Sequence, residues 1–572
     1  MKGLSYSEIK LWRCFMGDSK KSFFRMGATL LLSLSVVLAG CSGSNSGSGE
    51  ESSKGSEVGT DSPLEISVFL NEAGQQPTAD NKIYKKIKEE LGVTFKFEFL
   101  AGDKNQKLGV MIAGGDYPDL ISADTKLTAA GSVIPLEDLI EEHAPNLKKH
   151  YEKYWNQMKD PNDGHIYYLP NYGAYNGEVA DTYYSGPAFW IQKAVLKEFG
   201  YPTPKTLDEY FDLIAKYKEK YPTIDGKPTV GFEVLNYDWK NWGLLNPPQH
   251  LIGHPNDGGV VVNDGKAEIF ADKDYAKTYY QKLNEINAQG LLDKEAFAQN
   301  YDQYMAKLSS GAVLGMFDQH WNFGSAEDSL ITQDKIERTY VGFPLVYDSS
   351  TKDYYRDRAA LNLNNGFGIT VSAKDPVKII KALDKLMEED WQKTLTWGIQ
   401  DEDYYVNDEG RFMKTQEQRD NAADAAWKLA NKADAFYGTA PKVEGYFSDG
   451  NATSASNQPE EYQASLKPFD KEVLGAYGFN SYVDFFSAPP ENPVTYPAWS
   501  VDLVEGSPAK IANTKLNELS TKYLPKAILS GTSEFDNVWN EYVSDIKKLD
   551  IKTYEDRINE VLKWRIDNWS VK

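Results

Sequence analysis

The chain has 572 residues, 62 Lys+Arg against 84 Asp+Glu, and a formal net charge of −22. That acid excess excludes a broad nucleic-acid face and charge-driven docking on anionic lipid, and disfavours polyanionic ligands unless a local basic pocket overrides it. The only cysteines are Cys14 and Cys41, and a chain this long can be stabilised by its core without a disulfide.

In chain order, the first element is an export signal. Lys20, Lys21 and Arg25 precede the apolar run Gly27–Leu38. The run is shorter than the ~20 residues of a membrane span and fits a signal core of roughly 7–15 residues. Ala39 and Gly40 then lead to Cys41, and Leu38-Ala39-Gly40-Cys41 resembles a bacterial lipobox. A thiol is the soft nucleophile that accepts a diacylglyceryl group, and small neighbours admit the peptidase. Two acyl chains would suffice for stable anchoring. Residues 1–15 precede a signal that would have ordinary length from Met16, so they read as a start-site artefact. Loss of residues 1–40 removes six basic and two acidic residues, leaving 56 Lys+Arg against 82 Asp+Glu and a net charge of −26. Of the 21 residues Ser42–Ser62, 13 are Ser or Gly and none is aromatic. Such a stretch cannot bury enough apolar surface to fold, and acts as a leash with a reach of roughly 25 Å.

From Pro63 the pattern becomes α/β. Leu64–Leu70 reads as a buried strand, Asn81–Leu91 as a helix, Val93–Leu100 as a strand, Lys104–Ala113 as a helix, and Pro118–Ile121 opens a third strand. That alternation predicts a mostly parallel sheet with right-handed crossovers. Ligands of such sheets bind off the carboxyl ends of the strands, which places Asn71, Glu72 and Asp124 as hydrogen-bonding candidates. Ile166–Leu169 is a short strand stopped by Pro170. Ala188–Ile191 is another, followed by helices over Lys193–Phe199 and Leu207–Tyr221, the second opened by Thr206 and Glu209 at capping-box spacing. Asn263-Asp264-Gly265 between Val260–Val262 and Ala267–Phe270 is a hairpin signal. Helices follow at Asp272–Gln289 and Asp302–Ser309, then a core strand at Ala312–Phe317. Gly366–Val371 is a strand, with helices at Pro376–Glu388 and Asp390–Trp397. Beyond Tyr404 the chain reads as largely helical, ending in Ser533–Leu549 and Tyr554–Trp569.

A series of segments, in order, resembles the extracellular solute-binding proteins of family 1, in their large lipoprotein branch. These are Ile112–Asp119 (IAGGDYPD), Pro135–Ile140 with Ala144–Leu147, Asp163–Pro170 (DGHIYYLP), Pro204–Tyr210 (PKTLDEY), Lys307–Ala312, Trp397–Ile399 leading to Glu402–Tyr405, and Leu524–Gly531. The resemblance runs from Pro63 to Lys572. It implies an α/β chain with the type II periplasmic-binding-protein fold: two α/β lobes, multiple hinge crossings and a helical C-terminal part. The expected division is lobe 1 over 63–185 and 346–404, lobe 2 over 186–345, and 405–572 mainly with lobe 2. It also implies a carbohydrate ligand, delivery to the transmembrane subunits of an ABC permease, no cofactor, no enzymatic activity and a monomer. Where relatives often carry an Arg-x-Asp-Trp-Leu-like run, this chain has Gln192-Lys193-Ala194-Val195-Leu196. Where some carry a calcium loop, Pro222–Pro228 offers one carboxylate, Asp225, too few for that ion's oxygen cage, so no metal is expected.

The aromatic content, 13% with 36 Tyr and 13 Trp, suits a sugar cleft, since flat amphipathic rings cover the apolar face of a pyranose. Trp321 follows the Ala312–Phe317 strand by four residues and is the foremost candidate. Trp239 and Trp242, in an irregular Gly/Pro-rich stretch, and Tyr172, after Pro170 and near a lobe crossing at Tyr183–Gly186, are the others. His250 and His254 have the spacing of helical metal ligands, but the prolines and glycine around them argue against a helix and for structural histidines. Asp401-Glu402-Asp403 reads as a solvated run, because adjacent carboxyls cannot straddle a glycosidic bond at ~5–9 Å. A surface glycosidase, or a lipoprotein that binds peptides or serves a sensor, are the alternatives.

Overall fold

Alternating burial builds the first strand: in Leu64–Leu70 (β1), Ile66 and Val68 are buried to one core and Phe69 to another. Its neighbours are Val93–Phe99 (β2), Leu120–Ser122 (β3) and Leu169–Pro170 (β4). The second sheet is made from Pro187–Gln192 (β5), Val230–Glu233 (β6), Val313–Gln319 (β7) and Tyr340–Phe343 (β8), after which Gly366–Ile369 (β9) returns to the first. These assignments come from a computed structural model that describes residues 63–175, 182–356, 360–489 and 497–569. The expected signal, Cys41 and the Ser/Gly leash lie outside the described residues, as does the side chain of Trp239.

Sheet one has the order β2-β1-β3-β9-β4. β1 pairs parallel with β2 and β3, but β9 runs antiparallel to both β3 and β4. The expected parallel sheet is therefore correct for the first three strands and interrupted by β9, which arrives from the far side of the second lobe rather than through a local helix. Pro170, read as the stop after a strand at Ile166–Leu169, is itself the last residue of β4. It sits at the sheet edge, where its missing N–H costs no ladder bond. Sheet two has the order β8-β5-β7-β6, with β5 antiparallel to β7 and β8, and β6 parallel to β7. Each sheet has its own apolar core, so the molecule is a pair of α/β lobes of the type II periplasmic-binding-protein kind.

Local chemistry sets the helix ends. Thr206 caps Leu207–Lys220 with the reciprocal Glu209 contact, a motif that contributes about 1 kcal/mol. Asp264 and Gly265 take φ of 49° and 75° between Val260–Asn263 and Lys266–Ile269, the conformation a two-residue hairpin turn requires. Pro247–Leu251 is a short helix, contrary to the reading that its prolines forbid one. They occupy the first two helical positions, where a backbone N–H has no partner to lose. His250 within it is buried and stacks on Tyr355 at 4.8 Å, and burial holds its pKa at about 3. The Asp401–Asp403 run also departs from expectation. Asp403 is buried, accepts from Ile399 N at 2.8 Å and pairs with Lys82 at 2.7 Å, so it anchors a loop.

The C-terminal part is helical. Pro508–Leu529, Phe535–Ile546 and Ile551–Trp569 add Leu516, Leu524, Trp539 and Leu562 to the core of the second lobe. Phe436 and Ala440 instead complete the core of the first.

At the carboxyl end of β6 lies a buried carboxyl group. Glu233 accepts from Val234 N at 3.0 Å and Gln299 Nε2 at 2.8 Å, beside the Lys307–Asp293 pair at 2.5 Å. Burial, and then the charge of Asp293, pushes its pKa from 4.5 up to about 8. The folded chain thus keeps a proton that the unfolded chain releases. The stability tied to that proton is complete below about pH 4.5 and is lost as pH rises through about 8. Glu233→Gln is expected to melt above the parent at pH 8.5 and level with it at pH 5. Parallel melting-temperature profiles across that range would show the carboxyl to be ionised in the fold.

Candidate functional site

The strand ends define the site. In sheet one the carboxyl ends of β1, β3 and β4 and the amino end of β9 share an edge, fastened by Ala123 N donating to Gly366 O at 2.9 Å. In sheet two the carboxyl ends of β6 and β7 meet the amino end of β5, where Gln319 pairs with Pro187. The chain passes from the first edge to the second between Pro170 and Pro187 and returns between Phe343 and Gly366, so the two edges border one groove. Residues from the two sides approach each other across it. Thr125 Oγ1 donates to Asp502 Oδ1 at 3.4 Å. The Tyr301 phenol, pushed up first by burial, also feels the charges of Asp318, Asp302 and Glu72.

The crossings are held together. Asn362 N donates to Tyr172 O at 2.9 Å, and Gly173 N to Glu444 Oε2 at 2.6 Å. Gly173 has φ of 90°, and a Cβ there would lie 2.0 Å from Ala360 O. Only glycine fits that approach. Tyr172, next to it, is 43% exposed.

On the second lobe, β7 runs two residues beyond its expected end, to Gln319. Trp321 therefore stands in the first turn of the helix His320–Thr332. Its ring is 49% exposed, and its Nε1 donates to Gln319 Oε1 at 2.7 Å. Trp242 lies 5.8 Å away, centroid to centroid, at 41°. The Trp239–Trp242 stretch is not irregular: Asp238–Asn241 is a 3₁₀ turn leading into the helix Trp242–Leu245, which aims Trp242 at Trp321. Lys240 Nζ lies 4.6 Å above the Tyr301 ring and 5.8 Å from that of Trp321. Beneath them Asp318 accepts from Tyr304 OH at 2.5 Å and from Asn322 Nδ2 at 3.1 Å, and burial raises its pKa to about 6.

The first-lobe candidates are engaged to different degrees. Asn71 is half-buried and ties strand ends, its N donating to Ser122 Oγ at 3.2 Å. Glu72 is exposed. Asp124 caps the helix Thr125–Ala129 and pairs with Lys104 at 3.1 Å, so its carboxylate already serves the fold. Gln192 and Lys193, which open the run that departs from the expected family pattern, are buried. Lys193 bonds Thr339 at 2.7 Å and Asp470 at 2.5 Å. Asp225 turns a tight hairpin and pairs with Lys335 at 2.8 Å.

Sequence reasoning missed three groups here. Tyr237, exposed after β6, was hidden because Val230–Glu233 was not recognised as a strand. Tyr183 was seen only as part of a crossing. His320 had no pattern to mark it.

A family model described as bacterial extracellular solute-binding protein matches residues 82–384. The chain belongs to this family. Among the solute-binding proteins it is similar to the fructooligosaccharide ABC transporter substrate-binding protein of Streptococcus pneumoniae, at 29% identity over 301 residues. That alignment takes in 50% of this chain and 55% of the relative, so it spans about half the relative's length. It is also similar to the polygalacturonan/rhamnogalacturonan-binding protein of Bacillus subtilis, 25% identical over 413 residues, 68% of this chain and 75% of that one. Among solved structures, the S. pneumoniae substrate-binding protein in complex with kestose matches with a TM-score of 0.63 at 20% identity, covering 88% of this chain and all of the other. A Bifidobacterium longum infantis solute-binding protein described as binding human milk oligosaccharides (HMO) gives 0.63 at 15% identity, over 89% and 99%. These likenesses agree on the solute-binding fold.

Proposed function

We propose that this solute-binding protein captures an oligosaccharide in the groove between its lobes and hands it to the transmembrane subunits of an ABC permease. The observation that carries the reading is the Trp321–Trp242 pair, presented open-faced at the carboxyl edge of the second sheet. Paired, partly exposed indoles offer apolar area to a sugar ring, whose hydroxyls stay free to bond polar groups at the rim. Tyr172, Glu72 and Asn71 supply polar groups from the first lobe, whereas Asp124 contributes through its cap. Relatives named for fructooligosaccharide and polygalacturonan binding support a carbohydrate ligand.

The protein works as a monomer and binds without turnover. It is held outside the cell membrane by lipid on Cys41, with the Ser/Gly leash between anchor and lobes. The lobes divide at 63–185 with 346–404 and 186–345, and residues 405–572 go mainly with the second lobe, although Phe436 and Ala440 pack in the first core. Closure is driven by a sugar that bonds to both lobes at once, because a ligand shifts an equilibrium only by its differential affinity for the two states.

A thermal-shift screen decides between ligand classes, since a ligand bound only by the native state raises the midpoint. Kestose, oligogalacturonides and milk oligosaccharides are set against tri- to pentapeptides. At least one sugar class is expected to raise the midpoint, with no reducing ends released on incubation. A shift with peptides alone, or turnover at catalytic rates, would overturn the proposal.

A further inference from the structure

Beside Trp321 a chain of three polar side chains runs from the groove into the second lobe, and the aromatic wall does not account for it. Tyr183 lies in the first crossing and is 40% exposed. Its hydroxyl is hydrogen-bonded to Nδ1 of His320. Nε2 of the same ring lies 2.5 Å from Glu327 Oε2, one helix face along. Glu327 Oε1 in turn accepts from Tyr340 N at 2.7 Å, which locks the carboxylate to β8. The imidazole is walled by Trp190 at 5.5 Å and Phe323 at 5.1 Å, so it cannot turn away from its partners without losing packing.

The direction of these bonds follows from chemistry. Burial pushes the Glu327 carboxyl up, but its bonds to His320 and nearby cations outweigh that and hold it below the usual carboxylate range. An ionised carboxylate only accepts, so Nε2 of the neutral ring must carry the proton. Nδ1 is then bare, and the Tyr183 hydroxyl must donate to it. What the Tyr183 oxygen turns to the groove is lone pairs.

We infer that Tyr183 is a ligand-contacting residue that accepts a hydrogen bond from a sugar hydroxyl, with His320 and Glu327 as the positioning pair that fixes its polarity. Protonating His320 reverses that polarity: Nδ1 becomes a donor, the Tyr183 proton swings outward, and the sugar hydroxyl that had donated to Tyr183 must turn to accept, giving up the bonds its first orientation made. Affinity therefore falls on acidification. The charges acting on the three residues are Glu327 and Asp328 on the helix, with the Lys193 cation acting on the first carboxylate and Lys428 on the second. Tyr183 also feels Tyr462, and its own phenol is raised, first by burial, so it stays neutral throughout the range concerned.

The inference rests on the oligosaccharide reading, and two measurements on the full-length protein keep the two apart. Selective ¹⁵N-histidine labelling reads the tautomer without ligand: at pH 8, His320 is expected as the Nε2–H form. The Nδ1–H form would overturn the relay whether or not a sugar binds. Calorimetry with kestose, or with whichever sugar of the thermal screen binds, reads the consequence. The dissociation constant is expected to rise at least threefold from pH 8 to pH 5. Tyr183→Phe is expected to raise it at pH 8 by about the same factor and to flatten the profile. His320→Gln is expected to flatten it too. A Tyr183→Phe variant that keeps the parent's affinity and pH profile would remove Tyr183 from the site. If no sugar binds while the tautomer is as expected, the relay stands as geometry and the ligand assignment falls.

Discussion

Replacing Trp321 by alanine is expected to weaken oligosaccharide binding at least tenfold while shifting the melting temperature by no more than about 2 °C. Tenfold is about 1.4 kcal/mol, a modest demand on an indole face, since buried aromatic anchors commonly contribute ~2 kcal/mol or more. The fold should tolerate the change. The ring is half exposed, it anchors no core cluster, and its Nε1 donates to a neighbouring side chain, Gln319. Trp321→Phe is expected to fall between the two, because a smaller ring keeps part of the stacking area but loses the Nε1 donor. Trp242 would keep its place on its own helix and retain part of the wall. Isothermal calorimetry on the parent and both variants measures the effect. An alanine variant with the parent's dissociation constant would move the ligand away from this wall altogether.

The largest effect on stability is expected at Gly173. A methyl group there has to occupy space 2.0 Å from the Ala360 carbonyl oxygen and 2.8 Å from Leu361 Cα, at a backbone φ of 90°. Neither obstacle is a side chain that could swing aside. Relief requires the two crossings to part, which breaks the Asn362–Tyr172 bond that joins them and disturbs the neighbouring bond from Gly173 N to Glu444. Strain and lost bonds together amount to roughly 3 kcal/mol or more. Gly173→Ala should therefore unfold several degrees below the parent, and a surviving folded fraction should bind sugar more weakly because its groove is splayed. Gly475→Ala is the control. That glycine lies inside the helix Pro468–Tyr477 with nothing within 4 Å of a new Cβ, so the change should be neutral or slightly stabilising. Equal melting temperatures for the two variants would mean that the crossings do not constrain position 173.

The sequence was most informative where local chemistry decides the structure. Ile66 and Val68 alternate in β1, Thr206 and Glu209 sit at capping distance, and Asp264-Gly265 must turn a hairpin. Each of these is settled within a few residues, and each is found. It was least informative where a partner far along the chain decides. β6 and β8 are four-residue strands, too short to show a period, and they exist because β7 and β5 lie beside them. β9 was recognised as a strand, but nothing near Gly366 reveals that it runs antiparallel between β3 and β4. The site divides the same way. Trp321 could be found from its place after a core strand. Tyr183 and His320 could not, because 137 positions separate them and only the fold brings them together. Asp124 stood at a strand end as expected, yet its carboxylate went to a helix cap and to Lys104, an allocation that position alone does not disclose.

The late return of β9 and the C-terminal helices to cores begun by the first half has a kinetic meaning. A chain emerging from the ribosome can pair β1, β2 and β3, but β4 has no neighbour to join until Gly366–Ile369 has been made. The second core waits longer still, for Leu562 near the chain's end. The first half cannot finish until residues near Ala440 have been made, and the second not before synthesis is almost over; such non-local closure is slow even for a complete chain. The topology thus keeps the second half unfinished, and threadable through a narrow pore, for nearly as long as the chain is being made.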